Sequence, residues 1–442
     1  MTSSSGYDVT PGVAALATYV SALELRDIAA HAGGRHGPRM DIRPAAVLFA
    51  DLAGFTALAE ALSLQGPRGA EELSRIIDAH FGRLTDIVLA AGGDILAFAG
   101  DAALAAWPAD EGADLVTAAT AAAACGLRLQ EAGDPPVTGS LRMRISVGVG
   151  PLAHLRVGGV SGRWLSLAHG APIAQAAAAD RLAREGEVIL SPEAAAVLER
   201  GAEGSPLEGG ALRLAQIRPP VASIAPRQAA PDPDWADDLR RLVPEIIAAR
   251  VDARLGEWLG EFRRVTVVFC GLGAIDPGGP DALGQIQEAV SALQGEVERF
   301  EGTVYQLLTD DKGTTLVAAF GLPPRAHEDD AVRGTLAALA MHAALLRHGL
   351  TPSVGIATGL LYCGVYGTAR RRQFTVAGPP VNLAARLMQH AAGSLLCDAA
   401  TEERARRHPA LRFAAIEPLR VKGREQPVRV HRPSMAQGAA PS

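Results

Sequence analysis

The 442-residue sequence is short of cysteine, of long apolar runs and of surplus positive charge, and each shortage closes off a class of function. Its four cysteines, Cys125, Cys270, Cys363 and Cys397, stand far apart and form no metal-type pairs. They read as reduced, mostly buried thiols of a cytoplasmic protein. The longest apolar stretches, such as the alanine-rich run at 116–124, stop at Asp, Glu or Gly well short of a membrane span, so no membrane partner is expected. The start, MTSSSGYDVT, has neither a basic stretch nor an apolar core and does not read as a signal peptide. Lys plus Arg number 42 against 48 Asp plus Glu, a formal charge of −6, which argues against nucleic acid as a partner. What the chain does have is size and apolar content. With 48 % hydrophobic residues over 442 positions it suits two or three domains with sizeable cores.

Helix and strand patterns alternate along the chain. A helix is predicted over roughly 13–31, a buried strand at VLFAD (47–51), and a helix at 68–90 with Leu73, Ile76, Ile77, Phe81 and Leu84 at three- and four-residue spacing. GGDILAFAGDAALAAW then reads as two strands around a turn at Gly100-Asp101, followed by a helix at 112–130 and the strand MRISVGVG. The pattern starts again at RRVTVVFCGLG. GTVYQLLTDDKGTTLVAAF matches the first hairpin in layout, and SVGIATG echoes SVGVG. Lining up the copies pairs Phe49 with Phe269 and Ser146 with Ser353, and puts Cys270 where the first copy has Asp51. The expected fold is an α/β sandwich (α+β) occurring twice, the copies paired about an intramolecular pseudo-twofold axis as a heterodimer. The expected divisions are an N-terminal helical extension at 1–40, a first domain at 41–202, a linker and helix at 203–261, a second domain at 262–432 and a flexible tail at 433–442.

Asp51 ends an apolar strand and Asp101 sits in the turn of a later hairpin. A strand end and a neighbouring turn can bring two hard carboxylates together as a cage for Mg²⁺, with a backbone oxygen such as that of Leu52 helping. Two such ions about 3.5–4 Å apart can clamp the attacking and leaving oxygens of a phosphoryl displacement. The plainer alternative has Asp51 capping a helix that starts at Gly54-Phe55-Thr56 and Asp101 filling a turn. The loss of the strand-end aspartate from the second copy favours a site over a structural need.

Taken in order, FADLAGFT, GGDILAFAGDA, DDKG, FTVAGPPVNLAARL and the VKG at 421–423 resemble the catalytic domains of class III nucleotidyl cyclases. The tandem resembles the soluble, bicarbonate-responsive adenylyl cyclase branch. The resemblance covers about 42–195 and 262–400, and it implies that Asp51 and Asp101 bind two divalent ions, Mg²⁺ or Mn²⁺. It assigns Asn382 to positioning the nucleotide, Arg386 to the transition state, and Lys312 with Thr375 to the adenine edge. By spacing alone, Asn382 and Arg386 share a helix face, and the plain alternative for each of these four is a solvated or strand-borne polar residue. A lysine donor with a hydroxyl acceptor suits adenine rather than guanine. The implied activity is conversion of ATP to 3′,5′-cyclic AMP and pyrophosphate by a monomer whose two domains pair with each other. A silent nucleotide-binding regulator and a guanylyl cyclase are the rival readings.

The sequence departs from that pattern in three places. The branch's phosphate-binding lysine aligns with Ser146, leaving Arg142 or Arg144 as the cation on that strand. The lysine of its anion pocket becomes Ala97, and its arginine falls at or near Ala177, with Arg181 about one helical turn further on. A response to bicarbonate is therefore expected to be weak or absent. The mammalian kind continues into a large regulatory region, whereas this sequence ends at 442 with SMAQGAAPS.

Overall fold

The computed structural model describes residues 10–31, 37–109, 113–133, 142–218, 224, 230–253, 260–273, 275, 279, 281–310, 313–421 and 426–436. Two short helices, α1 (Thr10–Ala17) and α2 (Ala22–Ala30), stand where one helix is expected from the sequence. The break falls at Ser21, whose extended backbone and hydroxyl cap α2 by accepting from the Glu24 amide. The N–H groups of Ala22 and Leu23 go instead to the buried Asp94 carboxylate, at 2.9 and 2.8 Å. A partner some seventy residues away thus sets the boundary.

The first sheet is built from β1 (Arg39–Ala53), β2 (Asp94–Ala99), β3 (Ala102–Pro108), β4 (Arg142–Gly158), β5 (Trp164–Gly170), β6 (Val188–Leu190), β7 (Ala202–Pro206) and β8 (Leu212–Ile217). Its order is β2-β3-β1-β4-β6-β8-β7, with β5 folded back on β4. Helices α3 (Phe55–Ser63), α4 (Pro67–Ala90), α5 (Leu115–Ala132), α6 (Ala171–Asp180) and α7 (Pro192–Val197) connect and cover it. The periodic residues of α4, from Leu73 to Leu84, are buried in the core as their spacing predicts.

Helices α8 (Ala236–Leu242) and α9 (Glu245–Asp252) lead to a second sheet of β9 (Glu261–Gly271), β10 (Thr303–Asp310), β11 (Gly313–Phe320), β12 (Ser353–Thr368), β13 (Arg371–Ala377), β14 (Leu395–Asp398), β15 (Leu411–Ala415) and β16 (Val430–Met435). Its order, β10-β11-β9-β12-β14-β16-β15 with β13 on β12, repeats the first. Helices α10 (Ala282–Arg299), α11 (Asp330–Arg347), α12 (Pro379–His390) and α13 (Ala399–Ala405) complete this half.

The halves complete one another's cores. Tyr362 and Tyr366 of β12 are fully buried in the first domain's core, where Tyr366 stacks on Phe81 at 4.6 Å between centroids. In return Ala153, Leu155, Val157 and Leu167 of the β4–β5 hairpin pack into the second domain's core. The expected pseudo-twofold pairing within one chain is therefore a reciprocal exchange of hairpins. Helices α1, α2, α8 and α9 bury Leu16, Leu25, Leu239 and Ile246 against the remaining face of the second sheet.

Candidate functional site

The β1–β3 ladder runs to Asp51 opposite Ala102, and one step beyond it the Leu52 amide donates to the Asp101 carbonyl at 3.0 Å. That bond ties the two aspartates to adjacent strand ends. The second domain repeats it, with the Leu272 amide donating to the Thr314 carbonyl at 2.9 Å. The counterparts of Asp51 and Asp101 are therefore Gly271 and Thr314. This corrects the expected match with Cys270, which lies one residue earlier and is fully buried. Helix α3 begins from Gly54, whose φ of 87° lies in the left-handed region, and it has no side-chain cap. Asp51 is thus not spent on the helix start.

Arg144 stands opposite Asp51 in the β1–β4 register, and its guanidinium forms an ion pair with the Asp51 carboxylate and lies 3.7 Å from Asp180. Burial works against that charge, but the hydrogen bond and charge of Asp51, then the charges of Asp180 and Asp101, raise the basicity of Arg144 above its usual value. Among the described residues no group of three or more His, Cys, Asp or Glu is placed to hold a metal. Two carboxylates still fit Mg²⁺, which is commonly held by one or two of them and completes its shell with water and phosphate oxygens. The guanidinium already drawn onto Asp51 shows that this pair attracts a cation. Ser146 faces Phe49, as Gly355 faces Phe269, so its counterpart is Gly355 and not Ser353. Among the described residues its hydroxyl is buried without a hydrogen-bond partner, and Arg144 is a cation that this strand directs at the carboxylates.

Helix α12 lies close on β12 because Gly355 leaves room for it. A Cβ there would sit 2.0 Å from the Ala384 carbonyl oxygen, and the first domain has the same device, Gly148 under Pro172 at 2.2 Å. Both helices start with a proline in the first turn after a glycine at positive φ, Gly170 at 137° and Gly378 at 141°. That match places Ala174 opposite Asn382 and Ala178 opposite Arg386. Asn382 is exposed, while Arg386 is half-buried and donates to Gln389 at 3.1 Å. Across the domain boundary α12 touches α3, the helix that follows Asp51. Thr375 is buried on β13 opposite Gly364, and its first-domain counterpart is Leu167. Lys312 lies outside the described residues.

The structure thus brings Asp51, Leu52 and Asp101 to one edge and sets α12 beside the helix leading away from it. Sequence reading left the choice between Arg142 and Arg144 open and missed two glutamines, Gln373 and Gln306, that bind the Asp101 hairpin from the second domain. The available signal for Gln373 was its place two residues before Thr375 on an alternating strand. A cavity lined by Arg163, Arg241, Glu245, Tyr305 and Arg325 lies elsewhere, between the β4–β5 hairpin, α8–α9 and the second domain. No described helix is long and apolar enough to cross a membrane.

Residues 288–431 match the adenylate and guanylate cyclase catalytic domain family. Adenylate cyclase type 10 of Homo sapiens is 29 % identical over 402 residues, which cover 82 % of this chain and 25 % of the human protein. The chain therefore spans about a quarter of the length of that curated relative. A class III adenylyl cyclase-like ATP-binding protein from Pseudomonas aeruginosa superimposes with a TM-score of 0.54 at 13 % identity, covering 83 % of this chain and 85 % of that one. The guanylyl cyclase Cya2 covers 40 % of this chain and 96 % of its own length, at 20 % identity and a TM-score of 0.36. The chain has the class III nucleotidyl-cyclase-like fold in tandem, and it is related to adenylate cyclase type 10 at moderate identity.

Proposed function

We propose that this chain is an adenylyl cyclase, converting ATP to 3′,5′-cyclic AMP and pyrophosphate at one site in the seam between its domains. The observation that carries this reading is complementary loss. The first domain has Asp51 and Asp101 where the second has Gly271 and Thr314; the second has Asn382 and Arg386 where the first has Ala174 and Ala178. Neither half holds a full set, and together they hold one. Composition sharpens the point, because Asn382 is the single asparagine of the 442 residues and Lys312 is one of two lysines.

Divalent ions, Mg²⁺ or Mn²⁺, would supply Lewis-acid polarisation of the ribose hydroxyl and the phosphate oxygens. Asp51, Asp101 and the Leu52 backbone would hold them at the β1–β3 end. Arg144 would exchange Asp51 for phosphate oxygens, which accept the same fork of donors. Asn382 would orient the ribose, and Arg386 would offset the charge that builds on the α-phosphoryl group as it transfers. Thr375 would accept from the exocyclic amine of adenine while Lys312 donates to N1. In the reaction a bond forms between the 3′-oxygen and the α-phosphorus. The bond from that phosphorus to the bridging oxygen breaks, pyrophosphate leaves with the electron pair, and the hydroxyl proton passes to water.

The purified chain with ATP and Mn²⁺ should release cyclic AMP and pyrophosphate in equal amounts. GTP should turn over at least about tenfold more slowly, since each mismatched base edge leaves a buried group unpaired. ATP bound but not turned over would mark a silent nucleotide-binding regulator instead. Equal use of both nucleotides would remove the assignment of Thr375 and Lys312.

A further inference from the structure

Two alternate residues on one face of β13 meet the backbone of β2 in the opposite domain. Arg371 donates through Nε to the Ile95 carbonyl at 3.0 Å and through Nη2 to the Leu96 carbonyl at 3.3 Å. Gln373 takes both backbone groups of Phe98, its Oε1 accepting from the amide at 2.9 Å and its Nε2 donating to the carbonyl at 2.7 Å. Gln306, on β10, donates to the same carbonyl. Thr375 is the next residue on that face of β13, and Asp101 lies in the turn three residues past Phe98.

Strand β2 is the edge of its sheet, and it carries a bulge between Ile95 and Ala97. An edge strand presents backbone N–H and C=O groups with no strand beside them, and a bulge re-aims them. A primary amide offers an acceptor and a donor side by side, so Gln373 closes this edge as a neighbouring peptide would.

The pseudo-symmetric position has no such device. Counting back from Gly170 and Gly378, the counterpart of Gln373 is Leu165. Through the paired bulges and the Phe49–Phe269 match, the counterpart of Gln306 is Ala97. A requirement of the fold would appear on both sides. At the other seam Gln287 grips the Gly158 backbone from α10, but among the described residues the positions equivalent to Gln373 and Gln306 carry no amide, so a clamp on the β2-type edge stands where it faces the hairpin that carries Asp101.

We propose that Gln373, assisted by Gln306, is a positioning residue that fixes the Asp101 hairpin relative to Thr375, so that the carboxylate half and the base-reading half of the site meet in one register. This rests on the cyclase reading above. The role is exerted through the backbone of Phe98 and involves no contact with the reacting atoms.

The test uses the full chain carrying Gln373→Leu, Gln373→Glu or Gln306→Leu. Hydrogen exchange over 94–102 is followed without nucleotide, alongside cyclic AMP kinetics and a thermal melt. In Gln373→Leu the Phe98 amide should exchange at least about tenfold faster, because its protection is local. The kcat should fall at least about tenfold with KM for ATP held within about threefold, the mark of lost alignment rather than lost binding. Gln373→Glu still accepts from the Phe98 amide, so it should keep that protection while showing an intermediate kcat; Gln306→Leu should do the same. Unchanged exchange at Phe98 in Gln373→Leu, or a loss confined to melting temperature or to KM, overturns the proposal. If the unaltered chain binds ATP without turnover, the cyclase reading falls alone. Exchange at Phe98, and any Mn²⁺-induced protection of the Asp101 turn that Gln373→Leu abolishes, then still decides the clamp.

Discussion

Asp51 does none of the local work open to an aspartate after a strand. The helix behind it starts from a glycine without a side-chain cap, and its carboxylate is paired with Arg144 from a strand ninety-three residues further on. On the proposed reading, replacing Asp51 or Asp101 with alanine should lower cyclic AMP formation more than about a hundredfold while leaving the fold in place, since ions held there would stabilise the transition state by several kcal/mol. Circular dichroism and turnover measured on one sample check it, and an active Asp51→Ala protein would remove the site. The two aspartates were legible because a charge directly after an apolar run, and another in a tight turn, stand out against a strand pattern. The match of Asp51 with Cys270 was a one-residue slip: the offset that pairs Phe49 with Phe269 carries Asp51 to Gly271, and the cross-strand hydrogen bonds agree.

Elements with a long period were readable, and those ended by distant partners were not. The helix expected at 68–90 is α4, Pro67–Ala90, and its apolar face from Leu73 to Leu84 is the buried one. The predicted helix over 13–31 failed because Asp94 supplies the acceptor for the start of α2, and no local rule announces that. The seating of α12 was equally hidden, since it depends on a glycine in another element. Gly355→Ala should cost about 1–3 kcal/mol, as overpacking commonly does. Because the added methyl meets the Ala384 carbonyl on the helix that carries Asn382 and Arg386, it should lower kcat further than the stability loss explains. Denaturant midpoints and kinetics on the same variant separate the two effects.

At the scale of the whole molecule, the N-terminal helices clip the first domain to the second sheet through buried charge. Glu24 is 1 % exposed, and Arg156 and His154 both face it, with Asp27 also on Arg156 at 2.8 Å. Burial alone would raise its pKa, yet the hydrogen bonds and charges of His154 and Arg156 prevail and hold it at about 2. A carboxylate depressed in this way contributes fully above its ordinary value near 4.5 and loses that contribution as pH falls toward about 2. Denaturant midpoints should therefore decline between pH 5 and pH 2, and Glu24→Gln should flatten that decline while lowering stability at neutral pH. Exchanged hairpins within one chain also predict a specific activity that is unchanged by dilution, checked by turnover against light scattering; activity that tracks a dimer would place the pairing between chains. The same exchange has a consequence for inheritance. In a dimer of identical subunits every substitution strikes both seams together, so neither can decay while the other must work. Here each codon is read once, so Gly271, Thr314, Ala174 and Ala178 can differ from their counterparts without altering the proposed site.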